Sequence, residues 1–145
     1  MATTQPTLSQ FEAWITENRH LALNVIAARA IATTERKRVD SYILPIFRQF
    51  DFPVSKPEDL YLCNDDAKVE RFYAACDAAH REHGFTGPEG HCPALTAEAL
   101  VIDAETDLLT AGAALFGMGG PPYNMDDRKR MLELLLGACL KDQVA

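Results

Sequence analysis

The sequence lacks several features that would assign it to a membrane or secretory class. No uninterrupted apolar run approaches the ~20 residues that a membrane-spanning helix requires. Residues 1–10 contain no basic segment followed by an apolar run, so we expect no secretory signal peptide there. No two of the 4 cysteines have the two-residue spacing of zinc knuckles or thioredoxin-like sites. We therefore predict a cytoplasmic protein with reduced thiols and no membrane partner.

Positive charge is also scarce. Lys and Arg number 14 against 21 Asp and Glu, which gives a formal net charge of −7. An acidic chain offers nucleic acid little phosphate neutralisation, so we predict no nucleic-acid partner. The glycine- and proline-rich segment 117–123 lacks the Lys and Ser or Thr of a phosphate-binding loop and is interpreted as a turn. No linker or internal repeat is visible, and 145 residues suit a single domain covering residues 1–145.

The apolar residues recur at helical spacing along most of the chain. One amphipathic register persists from about Leu8 to Phe50 and predicts one long helix or two nearly collinear ones, with Pro45 as a place where it would kink or end. A short helix after Ser55 and longer helices over 65–83, from 93 to about 117 and after Asn124 complete the prediction. The predicted fold is all-α, a four-helix-bundle-like single domain with a long first helix.

The stretch from Cys76 to Glu105 concentrates the residues that carry chemistry. Helical phase places Cys76, His80 and His83 on the apolar face of the helix over 65–83, and glycines then bring in His91 and Cys92. Thiol and imidazole ligands favour zinc, whereas His with Glu favours iron or manganese. The sharper hypothesis is a divalent metal site with these ligands: His80, His83, His91, Cys92, Cys76 and Glu98.

A structural interpretation of the same residues stays open. His80 and His83 would then be hydrogen-bonded histidines in the last turn of a helix, where positive charge suits the helix dipole, and Cys76 would be a small hydrophobe. Cys92, near a helix N-terminus and beside a histidine, is also a conceivable nucleophile. The sequence assigns no catalytic residue and leaves open whether the protein is an enzyme.

Two pairs of opposite charge have matching spacing on predicted inner faces. Arg29 and Arg36 are seven residues apart, as are Glu98 and Glu105, and each pair spans about 10.5 Å of helix at 1.5 Å per residue. Asp40 lies on the same face as the two arginines. Because buried charges usually occur in pairs, we predict two buried ion pairs among Arg29, Arg36, Glu98 and Glu105.

Two functions of different classes follow from these patterns. The first is a small cytoplasmic helical-bundle protein that binds a divalent metal or a small ligand through the His, Cys and Glu cluster. The alternative is a non-enzymatic, homo-oligomeric interaction protein in which the Arg and Glu pairs are structural. The long first helix motivates the alternative, since its apolar face exceeds what three later helices are expected to cover.

Overall fold

A computed structural model describes residues 5–141 of the chain. Over that range the regular structure is entirely helical: α1 (Leu8–Phe50), a 3-10 helix (Pro57–Leu62), α2 (Asp66–Glu82), α3 (Pro93–Leu115) and α4 (Met125–Leu140). The predicted all-α, bundle-like fold with a long first helix is confirmed. None of the helices in this range combines the length and apolarity that a membrane span needs.

The first helix is continuous over 43 residues, so the prediction of one long helix is correct and that of two is not. It begins at a reciprocal capping box, in which the Gln10 N–H donates to Thr7 Oγ1 and the Thr7 N–H donates to Gln10 Oε1. Pro45 lies inside the helix on its exposed side. Water can solvate the carbonyl that lacks a partner there, which is why the helix continues through the proline.

The short connection before α2 differs from its prediction. Ser55 does not cap the next helix: the N-cap is Lys56, whose side chain makes no capping hydrogen bond, and the helix that Pro57 opens is 3-10 in type. The start of α2 follows the prediction more closely. Asp65 caps it by accepting a hydrogen bond from the Lys68 N–H at 3.0 Å.

The last two helices approach each other closely at a glycine. A Cβ atom at Gly112 of α3 would lie 2.5 Å from Cδ1 of Leu135 on α4, so only glycine fits without a shift of that buried side chain. The heptad-like pattern of α3 correctly predicts buried Leu108 and Leu109, whereas Ile102 is 61% exposed. Asn124 caps α4, as predicted, by accepting hydrogen bonds from two backbone N–H groups of the first turn.

The contacts of the chain group into two compact units. Within the described residues, the first unit comprises 5–30 and 99–141, and the second comprises 31–98. The first unit has a predominantly aliphatic core around Val25, Leu108, Leu109 and Leu135, and the indole N–H of Trp14 there donates to a backbone carbonyl of α3. The predicted single domain over 1–145 stays a prediction.

The second unit has an aromatic core. Phe47, Phe52 and Phe72 pack together, and the rings of Phe52 and Phe72 lie 5.3 Å apart at nearly a right angle. Cys76 and Ala94 are buried in the same cluster. This unit therefore contains both its aromatic core and most of the predicted site residues.

Candidate functional site

The end of helix α2 fixes the position of His80. The helix ends in a Schellman motif: the Phe85 N–H donates to the His80 carbonyl, the Gly84 N–H donates to the Arg81 carbonyl, and Gly84 has φ +91°. The ring of Phe85 lies edge-on to His80, with centroids 6.1 Å apart. The sequence predicts this ending from Gly84 and Phe85, and the motif holds His80 at the inner side of the final turn.

His80 is buried and has a specific polar partner. Its Nδ1 lies 2.7 Å from the hydroxyl oxygen of Tyr42 on α1, and 5% of the residue is exposed. The ring of Tyr42 also stacks on His83, with centroids 4.1 Å apart and an angle of 7° between the planes. His83 itself is exposed. The two histidines that helical phase places on one face therefore differ in burial. His83 is the C-cap residue, where the last turn carries its side chain outward.

Burial shifts the ionisation of three groups around this contact. It lowers the pKa of His80, and nearby Arg38, Arg81 and His83 lower it further, while Asp77 opposes them. Burial likewise raises the pKa of the Tyr42 hydroxyl. It raises the pKa of Cys76 to about 12. At neutral pH the interior therefore holds a neutral imidazole, a phenol and a thiol.

A groove of about 530 Å³ lies over this part of the second unit. Its volume falls within the range of small-molecule sites. Four predicted ligands of the metal hypothesis line it, together with an apolar wall and several charged groups. Within the described part of the chain, the residues that line it are Arg36, Val39, Asp40, Ile43, Phe72, Tyr73, Cys76, Asp77, His80, Gly90, His91, Cys92 and Leu95.

The structure brings together only part of the predicted metal set. Cys76, His80, His91 and Cys92 line the groove, whereas His83 and Glu98 do not. Among residues 5–141, no group of three His, Cys, Asp or Glu side chains is arranged to hold a metal ion. Metal binding therefore stays a prediction.

Glu98 pairs with an arginine instead of facing the groove. Its Oε1 accepts hydrogen bonds from Arg36 Nη2 at 2.6 Å and Nε at 3.2 Å. Glu105 makes the equivalent pair with Arg29, at 2.7 Å from Nη2. Arginine guanidinium groups therefore hold both of the glutamates that the sequence places on the inner face of α3.

The four predicted residues form two ion pairs, but these pairs lie nearer the surface than predicted. The side chains of Arg29 and Glu105 are 43% and 24% exposed, and those of Arg36 and Glu98 are 37% and 44% exposed. The expectation of buried pairs is corrected because the long arginine side chains reach out to water from the inner face of α1. Exposed pairs of this kind contribute little to stability.

Sequence reasoning missed two residues that matter for the site. Tyr42 is the partner of His80, and Asp77 lines the groove while its Oδ1 accepts a hydrogen bond from the Gly90 N–H at 3.2 Å. Tyr42 lies four residues after Arg38, which donates to the His83 carbonyl at 3.1 Å. That spacing places both on one side of α1, but the sequence does not indicate that this side meets the end of α2.

The hollow beside Lys37 and Pro45 does not resemble a site. It is lined only by residues of α1 and so has no opposing wall. The homo-oligomer hypothesis concerns the apolar face of α1, on which Leu8 is 74% exposed and Ile26 is 43% exposed. Homo-oligomerisation stays a prediction.

Comparisons of this chain with protein-family models, with curated proteins and with solved structures find no match. The functional argument therefore depends on the geometry of the groove and on the chemistry of the residues that line it.

Proposed function

We propose that this chain binds a small molecule in the groove of the second unit. The observation that carries the proposal is the mixed lining: an apolar wall that includes Val39, Phe72 and Leu95 faces the same space as carboxylate, imidazole and thiol groups. Sites for small molecules combine a mostly apolar surface with a few polar groups that fix orientation. The His80 contact with Tyr42 supports the proposal, since it holds one of those polar groups in place.

The test uses a neutral probe and two matched variants. 4-Phenylbutan-1-ol is titrated into the isotopically labelled protein while backbone amide shifts are followed, and we expect changes at Cys76, Asp77 and His80. Leu95→Gln removes part of the apolar wall and weakens binding. Leu100→Gln is the control, because Leu100 is exposed to the same extent (58% against 57%) on the same helix and does not line the groove. Absence of shifts at the groove contradicts the proposal.

Zinc binding is the second candidate, favoured by four potential ligands that line one groove, although no three of them in the described residues are already arranged around an ion. Cys76 and His80 are one helical turn apart and both buried, and His91 and Cys92 line the same groove. Thiolate and imidazole are the usual zinc ligands. If the Tyr42 hydroxyl accepts a hydrogen bond from Nδ1–H, the His80 Nε2 lone pair is available to a metal ion, and metal-binding histidines commonly donate such a hydrogen bond from their other ring nitrogen.

The zinc test compares thermal midpoints with and without added zinc. If zinc binds, it raises the midpoint and releases a proton from Cys76, because burial otherwise keeps that thiol protonated. Cys92→Ser abolishes the zinc-dependent rise, whereas Cys63→Ser, which changes a half-buried cysteine outside the groove, retains it. A midpoint that zinc does not change in the unmodified protein removes this candidate.

A further inference from the structure

The charged groups of the groove do not balance. Among residues 5–141, Arg36 is the one Lys or Arg side chain that lines it, and Arg36 is already paired with Glu98. Two further carboxylates, Asp40 and Asp77, line the groove. The excess charge of the lining is therefore negative once the Arg36 pair is counted as neutral.

The histidine in the wall does not compensate for this excess. Burial lowers the pKa of His80, so its imidazole is neutral at pH 7. Asp77 accepts one hydrogen bond, from the Gly90 N–H. Asp40 makes no hydrogen bond or ion pair with the part of the chain covering residues 5–141, although Arg36 lies near enough for an electrostatic interaction. The Asp40 carboxylate thus keeps its acceptor capacity for a ligand.

We propose that the ligand of this groove is an amphiphilic organic cation, whose apolar body lies against Phe72 and Leu95 and whose ammonium group lies at Asp40. The inference rests on the proposed function, because the groove defines the site and the aspartates define only the charge of its occupant. The net charge of −7 attracts cations from solution and so favours the same class. Tyr73, which is 53% exposed, lines the groove and adds an aromatic ring, a group that attracts cations.

Three probes with one apolar body test the charge preference. 4-Phenylbutylamine is a cation, 4-phenylbutan-1-ol is neutral and 4-phenylbutanoate is an anion at pH 7. We expect the affinity for the groove to decrease in the order amine, alcohol, anion. At low salt the amine should bind about fivefold more tightly than the alcohol, which is the gain typical of a partly exposed ion pair. Added salt should reduce the difference, because exposed charges are screened.

Matched variants assign the preference to a residue. Asp40→Asn should lower the affinity for the amine to that for the alcohol and leave the alcohol unchanged. Asp103→Asn makes the same change in net charge at an exposed position outside the groove, and should leave the amine preference in place. Because Asp40 has no hydrogen-bond partner to lose, we expect the variant to keep the amide spectrum of the parent protein.

The outcomes separate the two proposals. If none of the three probes shifts the groove amides, the proposed function fails and the charge inference fails with it. If the alcohol binds at the groove but the amine binds no tighter, or the anion binds tightest, only the charge inference is overturned. An amine preference that survives Asp40→Asn also overturns the inference, because the assigned carboxylate would not be its source.

Discussion

Both units of the chain are built from helices, but their interiors contain different kinds of side chain. The first buries mainly aliphatic side chains and brings α3 against α4 so closely that Gly112 has no room for a side chain. The second buries aromatic rings together with an imidazole and a thiol, and a groove of about 530 Å³ lies beside them. The first unit therefore leaves no space between two of its helices at Gly112, whereas the second places titratable side chains beside a groove.

The strongest test of this difference is a change at Gly112. Gly112→Val forces a side chain against Leu135, and overpacking of a filled core costs about 1–3 kcal/mol. We expect a correspondingly lower thermal midpoint by differential scanning calorimetry. Gly137→Val is the control, since a Cβ atom there meets nothing within 4 Å. Equal midpoints for the two variants would contradict the close packing of the first unit.

The next effect concerns the pH dependence of the second unit. His80 has a lower pKa in the folded protein than its ordinary value near 6.5, so the unfolded chain binds the proton more readily. The stabilisation from neutral His80 is present above about pH 6.5 and is lost as the pH falls towards the folded pKa. Denaturant titrations between pH 7 and 5 should therefore show stability falling with acidification.

Two histidine variants test whether His80 causes the loss of stability on acidification. His80→Gln should reduce the loss of stability on acidification, because the titrating group is gone. His20→Gln removes an exposed histidine of the first unit and should leave the slope unchanged. A slope that is the same in the His80 variant and in the parent would contradict the assignment of this pH dependence to His80.

The smallest effect is expected at the ion pairs, one in each unit. Glu105→Ala breaks the pair with Arg29, and we expect a loss below about 1 kcal/mol because both side chains are partly exposed. A buried pair would lose about 3–5 kcal/mol on the same change. Urea titration at low and high salt measures the loss, with Glu133→Ala as an exposed control on α4. A loss of several kcal/mol would restore the buried-pair prediction.

Local signals in the sequence predict the helices well because the signals act within a few residues. The caps at Asp65 and Asn124 and the ending at Gly84 each depend on hydrogen bonds to near neighbours in the chain. The equal spacing of the two arginines and the two glutamates also predicts that they pair, but it does not specify which Arg meets which Glu. Ser55 is the exception: its capping pattern is present, but the chain starts a 3-10 helix one residue later at Pro57.

The site is less predictable because its groups meet through tertiary packing. Helical phase predicts that His80 is buried, but it cannot identify Tyr42, 38 residues earlier, as its partner. Phase also places His83 inward, whereas the end of the helix leaves it exposed. The degree of exposure of Arg36 and Glu98 depends on side-chain conformations that no sequence spacing specifies.

The hydrogen bond between Asp77 and Gly90 ties the segment after α2 to the helix that bears the groove. Opening of that segment must break this bond, so occupation of the Asp77 carboxylate by a ligand is thermodynamically coupled to the opening. The Gly90 amide is therefore a natural reporter: its hydrogen-exchange rate registers what happens to a carboxylate thirteen residues away, without any introduced label.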